Sequence, residues 1–266
     1  MGRARRSTNP ASATRPPPSK KAINPNRLLA ALPLDDYARI APLLAVVPLK
    51  LKEILHKPGD PVDHVYFPGG GFCSVLTVLS DGDMIEVATI GREGMVGTSA
   101  IMNGAAPEPS VTMVQAETLQ CYRMATGAFC QEIERRGVFS VIVARYAQAL
   151  IGFVMQGTAC NAVHSIEQRL ARWLLTAQDR VDRNEFPLTQ EFVAMMLGAT
   201  RPTVTVVAGT LQRAGLITYH RGRVTVVDRE GLERASCECY RVAAALLKSV
   251  ISPSSSSEYA SQSNAV

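Results

Sequence analysis

No C-x-x-C pair occurs in this chain, and its six cysteines (Cys73, Cys121, Cys130, Cys160, Cys237 and Cys239) lie scattered, so neither a disulfide framework nor a zinc module is signalled. No secretory apolar segment is present either, and a reducing cytoplasm is the expected setting. Acids are missing from residues 1–26, which carry six Lys and Arg and almost no large apolar side chain. Such a stretch cannot offset its ordering entropy by burial and is expected to be a disordered basic tail, as is the serine-rich stretch 251–266. The Pro16-Pro17-Pro18 run breaks the amphipathic helix that an organelle-targeting signal needs. Charge of either sign is missing from Tyr146 to Val163, but Gln148, Gln156, Thr158 and Asn161 sit at several rotational positions, and Gly152, Gly157 and Ala159 lower the apolar strength. A membrane span is therefore not expected. Nor does any Ser, His and Asp set stand in a nucleophile setting, and acids such as Asp81 and Asp83 flank a turn, so an enzyme is not expected.

What is present fits two domains. The chain has 266 residues, 47% of them apolar and 19% charged, enough to fill cores. Its net charge of +5 is unevenly placed: residues 27–165 carry 10 basic and 13 acidic side chains, whereas residues 166–227 carry 8 and 5. A polyanion partner would be met by the second domain.

From Val46 to Arg123 short apolar runs alternate with turn chemistry, including Pro58-Gly59-Asp60 and Asp81-Gly82. FCSVLTVLS and MIEVATI, joined by Asp-Gly-Asp, predict a tight hairpin within a β-roll, barrel or sandwich over 27–137. From Val138 to beyond Ala177 prolines vanish, and 138–164 reads as one long helix that is apolar on more than one face. Such a helix packs on its own domain and on a partner helix, so a homodimer is expected, with Ala149 and Phe153 placed in the seam.

Residues 165–250 carry the functional signal. Ile166, Leu170, Trp173, Leu174 and Ala177 fall at helical spacing. In LTQEFVAMMLGATRPTVTVVAGTLQRAGLITYHRGRVTVVD, Thr189 caps one helix, Gly198 stops it and Thr200 caps the next, which spells a helix-turn-helix in which both threonines are also expected on DNA. Val204, Val207, Ala208 and Leu211 face inward, leaving Arg201, Pro202, Thr205 and Val206 exposed where a recognition helix presents its base readers, with Thr203 among them. Two β runs around Arg221-Gly222 form a wing whose Arg221 and Arg223 are expected on phosphate. Double-stranded DNA is the expected partner. The alternative is an effector-binding or protein-interaction module whose winged helix is no longer used on DNA, since the recognition helix lacks a second basic reader.

A roll, a long helix and a winged helix with an R-x-T-V element (Arg201, Pro202, Thr203, Val204) resemble the Crp/Fnr family of bacterial transcription regulators over residues 27–235. The resemblance implies an α+β protein: an amino-terminal jelly roll like a cyclic-nucleotide-binding domain, a dimerisation helix, and a carboxy-terminal winged helix-turn-helix. It implies a homodimer on a palindromic promoter site, with RNA polymerase as a further partner. In cyclic-nucleotide-binding members a Gly-Glu pair holds the ribose and an Arg before a small residue neutralises the phosphate. Here Glu93 stands for the ribose acid and Ser110 for the small residue, but Pro109 occupies the place of the Arg. Cyclic AMP is therefore not expected as a ligand. An iron-sulfur cluster is not expected, because no cysteine precedes Cys73. His64 and Cys73 read as structural rather than haem ligands. Cys237 and Cys239, at i and i+2 of a helix expected to start near Asp228, should point to different sides, so no metal site is expected.

Overall fold

The computed structural model describes residues 24–103, 107–181 and 183–251. The first domain is built on antiparallel β-structure: β1 (Ala45–Leu49), β2 (Ile54–His56), β3 (His64–Pro68), β4 (Phe72–Val78), β5 (Met84–Ile90), β6 (Val111–Ala116) and β7 (Thr118–Ala125). They form two sheets in the orders β1-β7-β3 and β2-β6-β4-β5. The β4–β5 hairpin closes at Val78 opposite Met84, and the turn needs Gly82 at φ +90°, a region that L side chains rarely adopt. Leu49, Cys73, Ile90, Val96, Val114 and Cys121 pack into one buried cluster of the roll, which explains two of the scattered cysteines as core side chains. Burial pushes the Cys121 thiol up to about 12, consistent with a small inert apolar group.

Helices α1 (Arg27–Ala30), α2 (Leu34–Ile40), α3 (Ala100–Asn103) and α4 (Thr126–Glu134) flank the roll and lead into α5 (Val138–Val163). The boundary expected at residue 26 needs correction, because Asn24 to Asn26 belong to the fold. Asn26 is fully buried; its Nδ2 donates to the Pro68 and Gly94 carbonyls at 2.9 and 2.8 Å, and its Oδ1 accepts from Leu28 and Leu29 N–H to cap α1. Composition cannot reveal a polar side chain retained for four specific hydrogen bonds. The rest of the basic tail and the serine-rich end from 252 lie outside the described residues.

The second domain follows as α6 (Ile166–Val181), β8 (Glu185–Pro187), α7 (Gln190–Leu197), α8 (Arg201–Arg213), β9 (Ile217–His220), β10 (Arg223–Val226), α9 (Arg229–Ala235) and α10 (Cys239–Ser249). Its three-stranded sheet has the order β8-β10-β9. The core of this domain is continuous with Phe72, Leu76, Val111 and Ala116 of the roll. Trp173 of α6 bridges them, edge-on to Phe72 at 6.0 Å and to Phe192 at 6.1 Å.

Two further expectations are corrected here. The stretch 165–250 is not one DNA-binding unit: α10 leaves it and lies along α5, with Leu246 against Gly152, Ala243 clustered with Phe153 and Ala88, and Val250 in the core under the roll. Most of the apolar face of α10 finds its partner there, while Tyr240 at its start packs on the core of the winged helix. Ala149 and Phe153 are buried by the same packing, so they are not in an open seam. The opposite face of α5 is exposed at Val141, Ala144, Gln148, Ile151, Met155, Thr158 and Ala162, a stripe with alternating steps of three and four residues.

Candidate nucleic-acid interface

Helices α7 and α8 cross at 102°. The crossing follows from local chemistry. Thr189 accepts from Phe192 N–H at 3.2 Å to start α7, and Gly198, at φ +56°, ends it in the left-handed region. Thr200 then caps α8, its Oγ1 3.5 Å from Thr203 N and 2.9 Å from Thr203 Oγ1. From α6, the Arg169 guanidinium donates to the Leu197 carbonyl, a cation at the negative end of α7. Val204, Ala208 and Leu211 are buried against α6 and α7, which leaves Arg201, Pro202, Thr205 and Val206 exposed at the start of α8. Val206 is 66% exposed despite its apolar side chain.

The wing is a two-residue hairpin: Arg221 at φ +48° and Gly222 at φ +73° join β9 to β10, the geometry of a type I′ turn. Tyr219 O–H donates to the Leu188 carbonyl at 2.6 Å and Leu188 N–H to the Gly222 carbonyl at 2.7 Å, which locks the wing beside the start of α7. Burial raises the Tyr219 phenol above its ordinary range, against the opposing field of Arg201.

The residues expected on DNA divide into two groups. Arg201, Pro202 and Arg221 are exposed, and Thr203 is partly so. Thr189 and Thr200 serve as caps, and the Thr205 hydroxyl is engaged by Gln190 Oε1 and the Arg201 carbonyl, each at 3.0 Å. Gln190, which the sequence reading missed, thus ties the first turn of α7 to α8. Arg223 is exposed and pairs with Glu185 of the neighbouring strand β8, both side chains facing solvent. The alternation of a strand put Arg223 on the solvent face, but the acid came from a strand nearly 40 positions away, with |i−j| of 38.

The effector residues are placed differently from the expectation. Glu93 lines a cleft, but its carboxylate is already committed to an ion pair. Its Oε1 accepts from Gly91 N–H at 3.0 Å and from Arg180 Nε at 2.8 Å, with Arg180 Nη2 at 2.7 Å. Arg180 comes from α6, is itself buried, and donates also to the Thr89 and Thr176 carbonyls. Ser110 is buried and donates to Glu108 Oε1 at 2.7 Å, while Ser99 donates to Glu108 Oε2 at the same distance. A buried carboxylate therefore sits next to Pro109, where an arginine was the implied phosphate contact. That cleft, of about 430 Å³, lies between the roll and the second domain, where Arg92 and Glu93 meet Arg180, Arg183, Arg229 and Tyr240.

A second, partly buried acid also joins the domains. Glu86 of β5 accepts from Trp173 Nε1 at 2.7 Å and from the Ser74 hydroxyl. Burial pushes its carboxyl up to about 7, although both hydrogen bonds and nearby Arg172 and Arg180 oppose the shift. An acid whose folded pKa lies above its unfolded value stabilises the fold only while protonated. Stability is therefore fully present below the ordinary carboxyl range and is lost as pH rises through about 7. Urea melts of the wild type should show a loss of about 1 to 3 kcal/mol between acid and neutral pH. Fluorescence of Trp173, the single tryptophan of the chain, should titrate with it, and Glu86→Gln should flatten both profiles. A wild-type profile identical to that of Glu86→Gln would refute the assignment.

Two helices meeting around a left-handed glycine, an exposed first turn on the second and a two-residue wing define a winged helix-turn-helix DNA-binding protein with an antiparallel roll attached. Comparison with known proteins places it further. The family model described as Crp-like helix-turn-helix domain matches residues 168–235, and that of the cyclic nucleotide-binding domain matches residues 46–136. The global nitrogen regulator of Synechococcus elongatus is 25% identical over 187 residues, which span 66% of this chain and 83% of that protein. Among solved structures, a CRP-family transcriptional regulator from Thermus thermophilus superposes with a TM-score of 0.58 at 24% identity, covering 71% of this chain and 95% of its own. The c-di-GMP responsive global regulator CLP of Xanthomonas campestris gives 0.59 at 13% identity, covering 73% and 99%. The chain belongs to the Crp/Fnr family of transcription regulators.

Proposed function

We propose that the protein acts as a homodimer on a near-palindromic operator, reading bases with the first turn of α8, under control of a ligand other than a cyclic nucleotide. The observation that carries this reading is the exposed start of α8, where Arg201 stands with no carboxylate paired to it among the described residues. A guanidinium there pairs bidentately with guanine O6 and N7, and Val206 offers an apolar contact for a thymine methyl. Thr205 and Gln190 position the helix, and Arg221 supplies the phosphate contact of the wing. One such helix discriminates too weakly for a genome, so two copies are needed, with half-site centres about 34 to 36 Å apart. A promoter-bound dimer of this kind would work by contact with RNA polymerase.

Selection of bound genomic fragments yields the operator, and Arg201→Ala should then lose about 1 to 3 kcal/mol on it and relax the preference at one base pair per half-site. Arg223→Ala, whose guanidinium is shared with Glu185 at the surface, should change the salt slope less than Arg221→Ala. Equal operator affinity for Arg201→Ala and wild type would sink the reading of α8. For the roll, the buried Glu108 beside Pro109 and the commitment of Glu93 to Arg180 both oppose a cyclic phosphodiester. Calorimetry with cyclic AMP should give no saturation at micromolar ligand. Saturable binding with a matching gain in operator affinity would contradict it.

A further inference from the structure

The end of α5 and the break between α9 and α10 bring four soft donors to one point. Cys160 lies in the last turn of α5 and His164 is its C-cap, an i, i+4 pair on one helix face. Cys237 and Cys239 were expected on opposite sides of a continuous helix. The helix instead stops at Ala235, and the turn that follows swings both thiols toward Cys160. The four ligand atoms, Sγ of the three cysteines and a ring nitrogen of His164, all lie within 4.8 Å of one another. Cys160 Sγ is 3.6 Å from Cys237 Sγ, and Cys239 Sγ is 3.6 Å from His164 Nδ1.

Three buried thiols alone would be explained as small apolar core groups: Cys160, Cys237 and Cys239 are 0%, 4% and 2% exposed. The histidine argues otherwise. Its Nδ1 faces the sulfurs, while Nε2 lies 3.3 Å from the carboxylate of Glu238, the outer partner that orients a metal-bound imidazole. Gln156 Nε2 donates to Cys239 Sγ at 3.1 Å, a hydrogen bond that suits a thiolate. Distances agree as well. With metal–sulfur bonds of about 2.3 Å and metal–nitrogen bonds of about 2.0 to 2.1 Å, the edges of a tetrahedral site are about 3.5 to 3.8 Å. Both printed edges fall in that range without rearrangement, whereas a Cys160–Cys237 disulfide would have to draw its sulfurs in to about 2.05 Å.

We propose that Cys160, His164, Cys237 and Cys239 form a structural site for one thiolate-preferring divalent cation of the zinc class. On binding, three thiols release their protons to solvent and the imidazole binds neutral, giving a site of net charge −1 within the electrostatic reach of Arg169. The ion fastens the end of the long helix to the segment between α9 and α10, and so stiffens the joint at Ser165 where the DNA-binding domain begins. This inference does not rest on the reading of α8.

The test uses untagged full-length protein purified under reducing conditions. Elemental analysis should find one zinc per chain. After chelation, cobalt(II) should restore the ligand-field bands of a tetrahedral site together with thiolate-to-cobalt charge transfer, and zinc should displace it. Cys239→Ser should abolish the charge-transfer intensity or the stoichiometric binding. Glu238 is exposed, so Glu238→Gln leaves packing intact and should weaken zinc by about 10 to 100-fold. Metal-free protein with no cobalt spectrum, or mass spectrometry showing a Cys160–Cys237 disulfide in the reduced preparation, would overturn the proposal.

Discussion

Ile151→Glu and Met155→Glu should each yield folded monomers that no longer hold a palindromic operator. The two side chains are 62% and 67% exposed in one chain, and they occupy neighbouring positions of the three-and-four stripe running from Val141 to Ala162. Such a stripe is the pattern expected of a seam in a two-stranded coiled coil, and Ala144, Thr158 and Ala162 on the same face are small enough for a second helix to approach. In a two-fold dimer each substitution places two carboxylates near the axis, and their desolvation and repulsion cost several kcal/mol. Sedimentation reports the monomer, far-UV circular dichroism the retained fold. Phe153→Glu and Ala149→Asp should behave differently: they push charge into the buried contact with α10 and the roll, so they unfold the chain before they separate it. A wild type that sediments as a monomer and protects a single half-site would overturn the dimer.

Arg180→Met should destabilise the protein by about 3 to 5 kcal/mol, the cost of leaving the Glu93 carboxylate buried without its partner. The guanidinium makes four kinds of contact at once, to Glu93, Thr89, Thr176 and the face of Phe153 at 5.8 Å. Adding Glu93→Gln in the same chain should recover a good part of the loss, because an uncompensated charge, not the missing attraction, sets most of it. Urea unfolding of the two single variants and the double completes the cycle. A loss below about 1 kcal/mol for Arg180→Met would mean that water reaches the pair.

Much of the candidate interface was legible because its signals are local. Thr189, Gly198 and Thr200 each act within a few residues of their own position, and so does the Arg221-Gly222 turn. The hairpin at Asp81-Gly82-Asp83 is of the same kind. Helix α5 was legible as a helix but not in orientation. With no charge from Tyr146 to Val163, neither face announces itself as the solvent side, and only the docking of α10 decides that Phe153 is covered and Met155 is not.

By itself, then, the sequence determined the β4–β5 hairpin, the long helix, the helix-turn-helix with its wing and the exposed first turn of α8, since capping, turn chemistry and periodicity are settled by neighbours along the chain. The tertiary structure alone decided which charges cancel and which donors meet. Glu93 and Arg180 are 87 positions apart, and Cys160 and Cys237 are 77. Nothing in either local stretch selects its partner. The apolar face of α10 had to find cover, and α5 and the roll offered it. The return of α10 along α5 then carried Cys237 and Cys239 to the end of the long helix, where Cys160 and His164 already shared one face.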